Sequence, residues 1–410
     1  MKILVLNSGS SSQKARLYDL KSPLPDDPPE PWWEGKLEWR EDQATLEART
    51  ASGTVSRANL PRGERPEATA KLLNELLSGK TRVLASFSEI DVVGHRIVNG
   101  GRSYNQPAVV TSEVKAAIEK MAVFAPLHNR VELEGIALIE KLCGSVPQVT
   151  VFDTGFHNSL SEAASTYPGP YAWAQKGIRK FGFHGINHQY CAGRAAKLLK
   201  GNLELKLITC HLGNGCSLAA IRGGQSIDTT MGFTPLDGLM MGTRSGSVDP
   251  GILTYLMREE NQDAQALDEM LNSRSGLLGI SGISADMREI IAAMQSGNQR
   301  AQLAFDMFVH RLRAGIGSML AALGGTDAIV FTGGIGENSA EVRAAACGHF
   351  AFLGLALDSA KNAAKPSDQD IATAESKVRV LVVRAQEDWA IARECFKLRS
   401  PANTAKLSGE

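Results

Sequence analysis

Short apolar runs that end in turns of glycine, serine and asparagine alternate along this chain with stretches of helical period, the grammar of an α/β fold. Residues 2–7 form a predicted strand that breaks at Asn7-Ser8-Gly9-Ser10-Ser11-Ser12, followed by Lys14 and an apolar run over residues 15–20. The arrangement recurs in the second half. There Leu207-Ile208-Thr209-Cys210 runs into His211-Leu212-Gly213-Asn214-Gly215, and residues 217–221 are apolar again. Two strand–turn–strand hairpins of one kind predict an internal duplication.

The rest of each half follows the same pattern. Helices are predicted over residues 67–79, with Leu72, Leu73, Leu76 and Leu77 on one face, and from Asn129 to Gly144, where Asn129 and Glu132 resemble a capping box. Strands are predicted over residues 90–98 and 149–153. Later helices start at Pro250 and span 299–323, where Leu303, Met307, Phe308, Leu312, Ile316, Leu320 and Leu323 recur at helical spacing. A strand over 328–332 breaks at Gly333-Gly334-Ile335-Gly336, with a helix from Ser339, a last strand over 378–383 and a last helix over 388–398. Trp33, Gly35, Leu37 and Trp39 alternate with charged residues and predict an edge strand after a Pro- and Asp-rich loop over 23–31.

A chain of 410 residues is expected to split into two domains. Lys plus Arg and Asp plus Glu both number 44, so nothing marks a nucleic-acid partner or a membrane surface. The apolar start over residues 3–6 is too short for a secretory leader, and no apolar stretch is long enough to span a bilayer. The six cysteines show no C-x-x-C pair and read as buried thiols, which predicts a cytoplasmic protein.

Turns of glycine and other small residues let backbone N–H groups close around a phosphate, so the two hairpins and Gly334-Ile335-Gly336-Glu337-Asn338 predict a phosphorylated ligand. An ordinary glycine turn is the competing reading of each. Gly79-Lys80-Thr81 is no P-loop, because Asn74 stands where the upstream glycine belongs. Two arginines have unusual settings: Arg96 inside an apolar strand, and Arg244 among glycines in Met241-Gly242-Thr243-Arg244. Arginine is the preferred fork for carboxylate or phosphate oxygens, although a structural ion pair explains either one alone.

Taken in order, these segments resemble the acetokinase family, of the acetate and sugar kinase/heat-shock ATPase/actin superfamily. The resemblance also rests on Gly94-His95-Arg96, Phe152-Asp153-Thr154-Gly155-Phe156-His157, Phe181-Gly182-Phe183-His184-Gly185, Gly232-Phe233-Thr234-Pro235 and Asp286-Met287-Arg288. It implies two duplicated actin-like, ribonuclease H-like domains with the active site in the cleft between them. The expected division is 1–152 plus 384–400, then 153–383 as the nucleotide-binding domain, with 401–410 a tail.

The implied reaction is Mg²⁺-dependent, direct in-line transfer of the ATP γ-phosphoryl group to acetate, giving acetyl phosphate and ADP, and its reverse. Mn²⁺ is an expected substitute for Mg²⁺. By the same resemblance Asp153, His184 and Arg244 are catalytic, and Arg96, Val98, Leu127, Phe183 and Pro235 bind the acid. Lys14, His211, Leu212, Gly213, Asn214, Gly215, Asp286, Met287, Arg288, Gly334, Ile335, Gly336, Glu337 and Asn338 bind the nucleotide, and Asn7 and Glu387 the metal. A homodimer is implied as well. The two halves of the chain are expected to close over ATP, with hinges near Asp153 and Arg384.

A carboxylic acid is already ionised at neutral pH, so the nucleophile needs no general base. Asp153 is therefore expected to orient the metal, its water or an arginine. A sugar or polyol kinase is the first rival, since a hydroxyl acceptor would use Asp153 as a base. A nucleotide-driven filament protein is the second. A propionate or other short-chain carboxylate kinase is the nearest alternative.

Overall fold

A computed structural model describes residues 1–9, 12–39, 43–61, 63–122, 126–201 and 204–399, the side chains of 126–128 excepted. Ser10 and Ser11 of the first turn lie outside the described residues. The chain divides into two units, Met1–Gly155 together with Gln386 onward, and Phe156–Ala385.

The first unit is built on β1 (Lys2–Ser8), β2 (Ser12–Asp19), β3 (Trp33–Trp39), β4 (Gln43–Thr50), β5 (Val55–Pro61), β6 (Val92–Ile97), β7 (Ala108–Val109) and β8 (Gln148–Phe152). Their order is β5-β4-β3-β2-β1-β6-β8-β7. The second unit carries β9 (Lys206–Leu212), β10 (Cys216–Arg222), β11 (Gln225–Thr229), β12 (Ala328–Thr332), β13 (Gln369–Asp370) and β14 (Arg379–Val382), in the order β11-β10-β9-β12-β14-β13. The run β3-β2-β1-β6-β8-β7 has the same topology. In both units two antiparallel pairings lead to a central strand, two parallel pairings follow, and an antiparallel strand closes the edge. The duplication suggested by the two hairpins is thus a duplication of whole sheets.

Parallel strands need cover on both faces. In β1, Ile3, Leu4, Val5 and Leu6 are all buried, because helices lie on either side. Helix Pro126–Cys143 covers one face, where Leu4, Leu6, Val93, Leu138 and Ile139 share a core. Helix Glu387–Arg399 covers the other. Gly94 makes that contact possible: a Cβ there would stand 2.6 Å from Cys395 Sγ and 2.8 Å from Ile391 Cγ2.

Four local expectations need correction. Strand β3 is not an edge: it is paired on both sides, Trp33 is fully buried beneath it, and the edge falls to β5, two strands farther out. Strands β4 and β5 were not expected. Asn129 and Glu132 form no capping box, since the helix already begins at Pro126 and both side chains are buried against neighbouring backbone. The glycine segment after β12 is itself a short helix, Gly333–Asn338, followed by helix Ala340–Cys347. In helix Gln299–Leu323, Leu303 is exposed rather than in the apolar stripe, and Ala301 and Ala304 are buried beside it.

The six cysteines are thiols, and five are buried. Burial pushes the Cys216 and Cys347 thiols up to about 12, which suits inert packing groups. Among the described residues no helix is long and apolar enough to cross a membrane.

Candidate active site

In the first unit, Asn7 at the end of β1 meets the start of helix Glu387–Arg399. Its Nδ2 donates to Glu387 Oε2 at 3.2 Å and to Asp388 Oδ1 at 2.8 Å. Asp388 is buried and pairs through Oδ2 with Arg16 Nη1 at 3.2 Å. The backbone of Lys14 lies opposite Asn7 in the β1–β2 register, but its side chain is exposed, beside Arg16, Glu34, Lys36, Glu47 and Arg49.

Arg96 sits near the end of β6. Its Nη2 donates to Asp153 Oδ2 at 2.8 Å and its Nη1 to Ser8 O at 3.3 Å. Asp153 follows directly on β8 and is fully buried. Burial by itself would lower the Arg96 pKa, but Asp153, Glu387 and Glu132 outweigh it and hold the guanidinium above its ordinary value. Arg96 Nε is buried with no hydrogen-bond partner among the described residues. Val98 is also buried, whereas Leu127 belongs to the first turn of its helix with a side chain outside the described residues.

In the second unit, His184 adopts a left-handed conformation (φ 58°) at the start of helix Gly185–Leu198, a costly conformation for a residue with a Cβ. Its surroundings hold it there. His184 Nδ1 lies 2.9 Å from Ser217 Oγ, and its ring stacks on His211 with centroids 4.1 Å apart. His211 Nδ1 accepts from Asn187 Nδ2 at 2.8 Å. Phe183, just before, is buried, and its carbonyl accepts from His157 Nε2 at 3.0 Å. Burial lowers the His157 pKa to about 4 and holds His188 well below the usual value, so both rings are neutral.

The glycine turn after β9 brings these groups to Arg244. A Cβ on Gly215 would stand 3.4 Å from both Arg244 Nη1 and His184 Nε2. Arg244 Nη1 is 3.5 Å from the Pro235 carbonyl. Asn214 O accepts from Gly242 N at 3.1 Å, and a Cβ on Gly242 would stand 3.2 Å from Ala285 O. Gly333 approaches the same turn, at 2.8 Å from Leu212 O to an added Cβ, and an added Cβ on Gly213 would stand 3.9 Å from Gly334 N. Three glycine segments and the loop before Asp286 therefore share one place.

Some predicted residues are engaged locally. Asp286 caps helix Met287–Gln295 and is bound by the exposed Arg288 guanidinium, while Met287 is buried. Glu337 Oε1 accepts from Gly333 N and Ala385 N, both at 2.9 Å, and burial raises its pKa. Asn338 Nδ2 donates to Gly334 O at 2.9 Å, Ile335 is half-buried, and the Gly336 carbonyl accepts from Arg343.

The family model of the acetokinase family matches residues 2–393. The chain belongs to the acetokinase family. An acetate kinase of Nostoc sp. is 57% identical over 406 residues, covering 97% of this chain and 99% of the relative. A crystal structure of Porphyromonas gingivalis acetate kinase superposes with a TM-score of 0.88 at 39% identity, covering 97% of this chain and all of that one (100%). A propionate kinase from Francisella tularensis superposes with a TM-score of 0.87 at 35% identity, covering 96% and 98%. Two duplicated α/β units with mixed sheets are the actin-like fold of acetate and sugar kinases, and an acetokinase is a phosphotransferase with a carboxyl acceptor.

Motif reasoning missed Asp388, Glu132, Ser217 and His188, which this acetokinase uses to hold the residues it did find. The sequence singled out Glu132 only as a capping-box partner of Asn129, a local role that gives no hint of its contact with Val98. Nothing in local spacing connects Ser217 with His184 or Asp388 with Asn7.

Proposed function

We propose that this acetokinase is an acetate kinase that transfers the ATP γ-phosphoryl group to acetate, reversibly and in line, with the following division of labour. The observation that carries the reading is the pair of arginines: Arg96, largely buried near a strand end, and Arg244, against Gly215 and His184. Moving a phosphoryl group to a carboxylate is opposed by like charges, so positioning and charge neutralisation supply the catalysis. Arg96 takes the acid's carboxylate. Arg244 and His184 stabilise charge on the transferring group. The 2.8 Å contact of Asp153 with Arg96 favours the arginine-positioning role over that of a base.

The backbone of His211, Leu212, Gly213, Asn214 and Gly215 faces phosphate, with Gly334, Ile335, Gly336, Glu337 and Asn338 beside it. We assign Asp286, Met287 and Arg288 to the adenosine end, and Lys14 on β2 to the nucleotide as well. Glu387, whose carboxylate accepts from Asn7 Nδ2 at 3.2 Å, supplies hard oxygen donors that would suit Mg²⁺, or Mn²⁺ in its place, with the Asn7 amide oxygen as a further donor. That ion would neutralise phosphate charge.

We assign Val98, Phe183, Pro235 and Leu127 to the alkyl end of the acid. A methylene in such a pocket discriminates by only about 1–3 kcal/mol, so propionate is a slower substrate rather than an excluded one. Helix Pro250–Glu259, with no buried residue and with Ile252, Tyr255 and Met257 exposed, is a suitable face for a homodimer. The chain works in the cytoplasm.

Purified protein with ATP, Mg²⁺ and acetate should yield a hydroxylamine-trappable acyl phosphate, with kcat/KM falling from acetate to propionate to butyrate. Absence of the trapped product defeats the kinase reading, and a higher value for propionate defeats the choice of acetate. Arg244→Ala should lower kcat, and an effect confined to the acetate KM would remove its assigned role.

A further inference from the structure

Strand β6 leaves its sheet just where the acid-binding residues stand. Its last partner on β8 is Phe152, opposite Ile97. At Val98 and Asn99 the backbone polar groups are met by side chains of helix Pro126–Cys143 instead. Val98 N donates to Glu132 Oε2 at 3.0 Å. Asn99 N donates to Asn129 Oδ1 at 3.3 Å, and Asn129 Nδ2 donates to Asn99 O and Ile118 O, each at 3.0 Å. Asn129 and Glu132, three residues apart, share one helix face, and Val98, Asn99, Asn129 and Glu132 are all buried.

An amide would suffice to hold Val98 N–H, yet the chain places a carboxyl there. Its Oε1 is buried with no hydrogen-bond partner among the described residues. The charged groups that bear on it are Arg96 from β6 and Asp153 after β8, and Arg96 is also influenced by Glu387 from the last helix.

We propose that Glu132 is a positioning residue of the carboxylate subsite: it fixes the strand end that aims Arg96 and Val98 at the acid, and its charge tunes Arg96. The proposal rests on the acetate kinase reading. Burial pushes the Glu132 carboxyl up to about 8, against the opposing pull of Arg96 and of the Val98 N–H. Near neutral pH the group therefore holds its proton, and Arg96 has the negative charges of Asp153 and Glu387 and that of the incoming acid to satisfy. At higher pH the proton leaves to solvent. Glu132 then becomes a further internal anion beside Arg96, and acetate binds less well.

The test is steady-state kinetics of the full chain, with acetate KM, MgATP KM and kcat followed from about pH 6 to about pH 9.5. Wild type should show acetate KM rising roughly fivefold through the alkaline range, with MgATP KM steady. Glu132→Ala, which leaves Val98 N–H unmet, should raise acetate KM roughly tenfold at neutral pH. Glu132→Gln keeps an acceptor and should recover most of that loss, and its acetate KM should stay flat with pH. An unchanged acetate KM in Glu132→Ala, an equal rise in both KM values, or an alkaline rise surviving in Glu132→Gln overturns the proposal. Should Glu132→Ala fail to fold, the pH profile of Glu132→Gln decides. A wild type that forms no acetyl phosphate overturns the kinase reading with it, whereas an active wild type with unresponsive variants overturns this assignment alone.

Discussion

The hydroxyl of Ser217 lies 2.9 Å from Nδ1 of His184 and holds that ring over the glycine turn that ends at Gly215. Ser217 Oγ is also 2.8 Å from His188 Nε2, whose ring meets Thr209 Oγ1 at 2.7 Å through Nδ1. His188 is kept neutral by burial, so it offers one donor and one acceptor, and the direction of the Ser217 hydroxyl and the proton on His184 Nδ1 are linked. Ser217→Ala removes this link while leaving the fold nearly filled. It should lower kcat roughly tenfold to a hundredfold, with both KM values within about threefold of wild type. Unaltered kcat in steady-state assays would mean that His184 is oriented by other contacts.

Asp153 is fully buried beside a guanidinium that is itself largely buried. Removing one partner of such a pair leaves an uncompensated charge, a loss of about 3–5 kcal/mol. Asp153→Ala should therefore lower the urea midpoint and raise the acetate KM. Asp153→Asn, where it folds, should keep the wild-type shape of the pH–rate profile. Loss of a single deprotonation limb in that profile would make Asp153 a base and defeat the arginine-positioning role.

Acid should unfold the protein early. Burial lowers the His95 and His157 pKa values from the usual 6.5 to about 4, and both rings serve as neutral partners, of Gln148 and of Ser226 with Phe183 O. Between pH 6.5 and pH 4 the unfolded chain binds protons that the folded chain does not, so stability falls with pH across that window. Each histidine accounts for roughly 3 kcal/mol of the loss. Urea midpoints measured from about pH 7 down to about pH 5 should decline steadily, and a flat series would contradict the neutral assignment.

Gly94 is where the last helix lies closest to the sheet. A methyl group there meets Cys395 and Ile391 at under 3 Å (2.6 and 2.8 Å), so Gly94→Ala must push the helix outward. The cost should be about 1–3 kcal/mol in chemical denaturation. Because the same helix begins with Glu387, the apparent affinity for MgATP should fall as well. Retention of wild-type stability would show that the helix can shift freely.

Much of this protein was legible in order along the chain. Strands β1 and β9 end at Ser8 and Leu212, just past the expected Asn7 and His211, and helix Gln299–Leu323 has the predicted bounds, since these features depend on neighbours within a turn or two. The position of β3 was not legible, because alternation of Trp33, Gly35 and Leu37 describes one covered face and does not count the strands beyond it.

By itself, the amino-acid order determined the alternating fold, its duplication, the glycine turns and membership of the acetokinase family, all of which are written in local spacing and motif succession. Only tertiary structure decided what holds the site. Asn7 meets Asp388 across 381 positions, Ser217 meets His184 across 33, and Glu132 meets Val98 across 34. Such partners come together through sheet order and helix packing, and a buried polar group takes whichever partner that packing brings within reach. Local sequence pattern therefore singled out candidate side chains, and the packing of the sheets and helices determined the partners that surround each one.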